Sequence, residues 1–280
     1  MQFTSFNTNA AWKTKLYDAA TWKASLTVVH PLLERMPFLN CHNIEPGELR
    51  VVHLGSSQYL LGSVLWLLCY RILPTSESAN IDRIWSHIVN FYERSKTTTQ
   101  ISNLTLSMFT DPKTPRSTYA RLKTKGAEAK HLIAAVLDTW TTLTKDVDSE
   151  FVIPVRIALE KMHEIQSILD ESRFLLFLDL SGAAKISAAV DLYLQNYSRA
   201  AALADLALLP LFTVAPKHHW FWHWADRSKF LNPRKGNEML DEHFVGVLKN
   251  VCQTCASGTP LHAVPGALFD KYRWGVGLQD

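Results

Sequence analysis

The chain has 280 residues, 47% hydrophobic and 20% charged, with a formal net charge of +3 and an isoelectric point near 8.6. That composition excludes a disordered chain and supplies enough apolar material for one large domain or two closely packed ones. The mild positive charge permits contact with nucleic acid without requiring it, because such binding depends on local clustering of cations rather than on the total.

Taken in chain order, the opening "MQFTSFNTNAAWKTK" lacks the charged-then-apolar pattern of a secretory leader. Four cysteines, Cys41, Cys69, Cys252 and Cys255, are too few to suggest a disulfide framework, so the expected setting is intracellular, nuclear or cytoplasmic, rather than secreted. "ELRVVHLG", Glu48 to Gly55, reads as a strand. "YLLGSVLWLLCYRIL", Tyr59 to Leu73, is the longest apolar run and falls short of the roughly 20 residues that span a bilayer; it reads as a buried core helix, with no membrane partner. Ile81, Ile84, Trp85, Ile88, Val89 and Tyr92 follow helical spacing, and so do Ala129 to Trp140, Val155 to Leu169 and Leu240 to Cys255. "FLLFLDLSG", Phe174 to Gly182, is either a second strand or a continuation of the preceding helix. "YSRAAALADLALLP" is helical up to Pro210. The tail beyond Cys255 is irregular. The fold class expected is mainly α with a few short strands, in three segments: 1–55, 56–210 and 211–280.

Three constellations carry chemistry. In "PKHHWFWHWAD", Pro216 is a good first helical residue, and His219 and His223 then stand at i, i+4 on one face, a spacing from which two imidazoles can grip one metal ion. His218 is an alternative partner with poorer geometry. The competing reading is that Trp220, Trp222 and Trp224 pack and the histidines hydrogen-bond. Glu242, 19 residues after His223, is placed to join other carboxylates around Mg²⁺ or to stand as a solvated acid, as is Asp241. The segment from Asp111 to Lys130 combines two prolines and a glycine with Lys113, Arg116, Arg121, Lys123, Lys125 and Lys130, so it is a basic loop able to neutralise phosphates, or else a solvated face. "NPRK" at Asn232 to Lys235, with Arg227 and Lys229, is a weaker second patch. No G-x-S-x-G, P-loop or G-x-G-x-x-G occurs.

Together these stretches resemble the CACTA-like DDE transposases, relatives of the V(D)J recombinase catalytic subunit, and the transposon-derived reading frames of dinoflagellates. "HHWFWHW" followed by "LDEHFVGVLKNV" is similar to the family's histidine pair and last catalytic glutamate. "LRVVHLGSSQYLLGS" resembles its D-x-x-H-x-x-x-L-G stretch, and "LKTKGAEAKHLIAAVL" the opening of its helical insertion. The resemblance implies a helical insertion framed by remnants of an RNase H-like core. It implies a zinc site from His219 or His218 with His223, and the third catalytic acid at Glu242. The same alignment puts Gly47 where the second aspartate belongs and Arg50 where a histidine belongs. The zinc-binding cysteine pair falls near Trp66 and Cys69, so only Cys69 survives.

Two-metal phosphoryl transfer needs several carboxylates. The resemblance therefore implies a catalytically inactive remnant that retains sequence-independent DNA binding through the basic loop. A partial zinc site would lie at His219, His223 and Cys69, and Mg²⁺ enters only if the protein is active. Glu48 is the one substitute for the missing aspartate, though on a strand it would face the other way from residue 47. The alternatives are a helical scaffold that binds partners or itself, and an active metal-dependent nuclease using Asp179.

Overall fold

The apolar spacing along the chain builds helices almost throughout. The computed structural model describes residues 5–7, 9–13, 18–29, 31–36, 46–236, 249, 253, 255 and 260–275, and the chain divides into two compact units, 1–236 and 237–280. In the first unit the α-helices are α1 (Ala19–Ala24), α2 (Pro31–Arg35), α3 (Gln58–Leu67), α4 (Glu77–Ser95), α5 (Gly126–Leu143), α6 (Val152–Glu171), α7 (Leu180–Leu206) and α8 (Pro216–Asp226). The tail expected to be irregular instead carries a helix in the second unit, α9 (Val264–Gly275), and the buried Cys255 thiol donates to the carbonyl of its Ala267 at 3.5 Å. The helix expected over 240–255 lies outside the described residues apart from 249, 253 and 255.

Local signals set the helix ends. Ser76 caps α4 by accepting from the Ala79 N–H at 3.4 Å, and Ile81, Ile84, Ile88 and Tyr92 form its buried stripe. α5 starts where Glu128 reaches back to the Lys125 N–H at 2.9 Å. α6 and α7 form the most extensive helix pair, with α5 against α6 and α8 against α7. Trp66, Trp140, Trp224, Tyr193, Tyr197, Phe151, Phe212 and Phe221 fill the interior between these elements.

No strand occurs among the described residues, and both segments expected as strands differ. Glu48 leads into a π-helical stretch, Leu49–Ser57, that runs straight into α3 and ends in a second π-type turn, Leu68–Ile72. Paired valines suggested a strand, but a short apolar run buried on nearly every side has no periodicity that separates strand from helix. This stretch packs against α5 and α8, so residues from all three of the segments expected from the sequence meet in one core. Among the described residues, Leu49–Ile72 is the one stretch long and apolar enough to cross a membrane, and 89% of its most apolar window is buried inside the fold. The "FLLFLDLSG" segment is a turn after α6, held by Asn232 Nδ2 donating to the carbonyls of Ser172 and Leu175, both at 2.9 Å. Asp179 is the N-cap of α7 and accepts from Gly182 N–H at 2.7 Å, so it acts as a helix cap rather than as an acid at a strand end.

Candidate nucleic-acid interface

The basic loop is extended but fixed by backbone bonds at both edges. Arg121 N–H donates to Phe109 O at 3.1 Å, Lys123 N–H to Met108 O at 2.7 Å, Leu122 N–H to Gln58 O at 2.9 Å and Ala120 N–H to Pro210 O at 3.1 Å. Trp66 Nε1 donates to Pro115 O at 2.9 Å from the core side. Gly62 of α3 makes this contact possible: a Cβ there would lie 2.6 Å from Arg121 Cα, so any other residue would push the loop away. With the backbone so satisfied, Lys113, Arg116, Arg121, Lys123 and Lys125 all stand exposed.

Arg121 is the anchor of this face. Its guanidinium donates twice to Gln58 Oε1, at 2.9 and 3.2 Å, and once to Leu54 O at 3.2 Å, and lies 5.1 Å from the Tyr59 ring centroid. The same Leu54 carbonyl accepts from Lys217 Nζ at 3.0 Å. Burial, and after it the nearby charges of Arg121 and Arg50, hold Lys217 below the usual lysine range. Three cations from the π-helical stretch, the loop and α8 thus converge on one face. Arg50 and Lys217 were not among the expected DNA-binding residues. A signal for Lys217 was present, since a lysine in the first turn of a helix opposes the helix dipole and needs another reason to be there.

The remaining basic residues are engaged differently. Lys130 and Arg234 both donate to Asp170 Oδ1, at 2.6 and 2.5 Å. Burial works against ionisation of Asp170, but these two partners outweigh it and hold the carboxyl below its usual range. Lys229 pairs with Asp226 at 2.8 Å, and Lys235 donates to the carbonyl of Arg173 at 3.3 Å. The "NPRK" patch is therefore largely spent on intramolecular partners.

The histidines of α8 split between two faces. His218 is fully buried, with its ring 4.3 Å from that of Tyr197; its Nδ1 accepts the Ala215 N–H at 3.1 Å and its Nε2 has no partner. Burial pushes it down to about 4, and with its Nδ1 taken by the Ala215 N–H it packs as a neutral core residue. His219 and His223 meet as their spacing predicts: Nε2 to Nε2 is 3.0 Å, one ring donating to the other. Trp12 packs 4.5 Å from His219 and Trp222 lies 5.3 Å from His223. Burial, His219 and Arg227 lower His223 to about 4 against the opposing pull of Asp226. Two neutral imidazoles at that separation have the spacing of two ligands on one ion, since zinc–nitrogen bonds of roughly 2 Å place neighbouring donors about 3 Å apart.

Cys69 does not join them. It sits in the second π-type turn, where Sγ donates to Glu77 O at 3.4 Å, and burial and the Glu77 charge push its thiol up to about 12. Among the described residues no three of His, Cys, Asp and Glu are grouped to hold a metal, and Glu242 and Asp241 lie outside the described residues.

Glu48 and His53 are brought together by the π-helical turn, which sets residues five apart side by side. Glu48 Oε1 and His53 Nε2 are 2.9 Å apart and both side chains are sealed from solvent. The other two polar atoms of the pair, Glu48 Oε2 and His53 Nδ1, have no partner, nor do the hydroxyls of Ser56 and Ser57. Sealed from solvent on both sides, this polar knot belongs to the core. Among the described residues the protein is thus mainly helical, with an exposed basic face on a loop held by backbone bonds. Comparison of the chain with family models, with curated proteins and with solved structures finds no match.

Proposed function

We propose that this chain is a non-catalytic helical protein of transposase-like descent that holds DNA through its phosphate backbone. The observation that carries the reading is the gathering of Arg121 and Lys217 on the neutral Leu54 carbonyl, with Arg50 near enough to bear on Lys217, beside a loop whose Lys113, Arg116, Lys123 and Lys125 side chains are exposed. Phosphates engaged there release counterions, which gives affinity with little sequence preference. Gly47 in place of the expected aspartate supports the absence of strand-transfer chemistry, and on this reading the His219 and His223 pair is the surviving half of an ancestral zinc site. Charge reversal at Lys113, Lys123 and Lys125, which leaves the Arg121 anchor in place, is expected to weaken DNA binding about 100-fold at low salt. Wild-type affinity in that variant, measured by fluorescence anisotropy, would refute the reading.

A second reading, docking of a protein partner or of another copy, has its own observation. Phe174, Leu175, Leu176, Phe177 and Leu180 form an exposed apolar run between α6 and α7, with Phe174 at 83% and Leu180 at 85% exposure. Light scattering decides it for self-association: a monomer at every concentration, unchanged by Phe174→Ser and Leu180→Ser, removes that option.

A further inference from the structure

Beside the basic face lies a cavity of about 300 Å³. Its lining is mostly apolar and lies over the buried residues Phe109 and Leu122, and the exposed residues Tyr119, Arg121, Lys123 and Asp111 border it. We propose that this cavity takes one unstacked base of a single-stranded nucleic acid while the flanking phosphates lie on Arg121 and Lys123. The proposal rests on the phosphate-binding reading above and adds what that reading leaves open, the strandedness of the ligand.

Four features of the cavity point to a base. Its volume is at the low end for small-molecule sites, which suits a flat heterocycle better than a longer segment of polymer. Tyr119 is 54% exposed at the rim, where an aromatic ring offers a stacking face that every base can use. Asp111 sets the polarity: its Oδ1 accepts the Lys113 N–H and its Oδ2 the Thr114 hydroxyl, both at 3.0 Å. A carboxylate at the rim repels a phosphate that enters the cavity, yet its remaining lone pairs can accept from base N–H groups. The phosphate is thereby directed to the two cations and the base to the apolar lining. Finally, the loop is fixed by the backbone bonds to Gln58, Met108 and Phe109, so the cavity exists before the ligand arrives and little ordering cost falls on binding.

Strandedness follows from the energy of delivering the base. A duplex must unstack and unpair a nucleotide to reach the apolar lining, at a cost of a few kcal/mol, whereas a single strand has already paid most of it. A single strand is therefore preferred, and the preference resides in Tyr119 rather than in the cations.

The test uses the full chain, with 12-nucleotide fluorescein-labelled strands of mixed sequence as DNA, as RNA and as the DNA duplex, titrated at low salt. Tyr119→Ala, Tyr119→Phe and the Lys113→Glu, Lys123→Glu, Lys125→Glu protein are compared with wild type, each first checked for native helicity. Both single strands are expected to bind about tenfold tighter than the duplex. Tyr119→Ala is expected to lose that tenfold with the duplex unchanged, and Tyr119→Phe to keep it. Wild-type single-strand affinity in Tyr119→Ala, with binding lost in the charge-reversed protein, would overturn the base site and leave the phosphate reading standing. Equal binding by the charge-reversed protein would overturn both.

Discussion

Two groups of cations in this protein are wired in opposite ways. Lys130 and Arg234 close on one carboxylate, Asp170, from α5 and from the turn beyond α8, and so act as a clasp between distant parts of the chain. Arg121 and Lys217, with Arg50 close enough to bear on Lys217, gather instead on the neutral carbonyl of Leu54. A carboxylate cancels the charge it organises, and a carbonyl orders the cations while leaving their charge for a ligand. What separates a structural group of basic residues from one whose charge is left open is thus the nature of the acceptor, and not the number of lysines and arginines.

That contrast can be broken at three points. The largest effect is expected at Arg121, because its loss leaves the buried Gln58 Oε1 without its donor: Arg121→Ala should cost about 1–2 kcal/mol in urea unfolding, as well as weakening DNA binding. An unaltered midpoint would mean the fork does not hold the loop. A smaller effect is expected at Asp170, which is nearly half exposed, so that screening limits the clasp to under about 1 kcal/mol. Its lowered pKa means that the stability it adds is present above the ordinary carboxylate range and is lost as pH falls through and below that range. Asp170→Asn should therefore remove part of the acid sensitivity between about pH 5 and pH 2 without touching DNA affinity. Smallest of all, Lys229→Glu with Lys235→Glu should change DNA affinity by no more than about threefold, since both lysines already serve internal partners. A loss as large as that from reversing Lys113, Lys123 and Lys125 would erase the distinction between the two groups.

Periodicity made the helices legible. The stripe from Ile81 to Tyr92 and those of α5 and α6 are buried where their spacing placed them, and Pro216 does start α8. The π-helical stretch was not legible, because two valines beside leucines fit a strand as well as a fully buried helix, and no pattern in sequence announces a five-residue turn. The Glu48 and His53 pair was lost with it. His219 and His223 were legible as a pair because i, i+4 is a local property of any helix, whereas the separation of Cys69 from them depends on how α3 meets α4. Charge alone likewise grouped Lys130 with the loop, and only the fold shows that its partner is Asp170, 40 residues on.

The face around Arg50, Arg121 and Lys217 is proposed to bind phosphate backbone without reading sequence. Its most direct test is the affinity of the wild-type chain for two unrelated DNA sequences measured across salt concentrations. With five loop cations and the Arg50 and Lys217 charges beside them, log affinity is expected to fall with log salt at a slope of roughly −5, and to be nearly the same for both sequences. A slope near zero, or no binding at low salt, would contradict it.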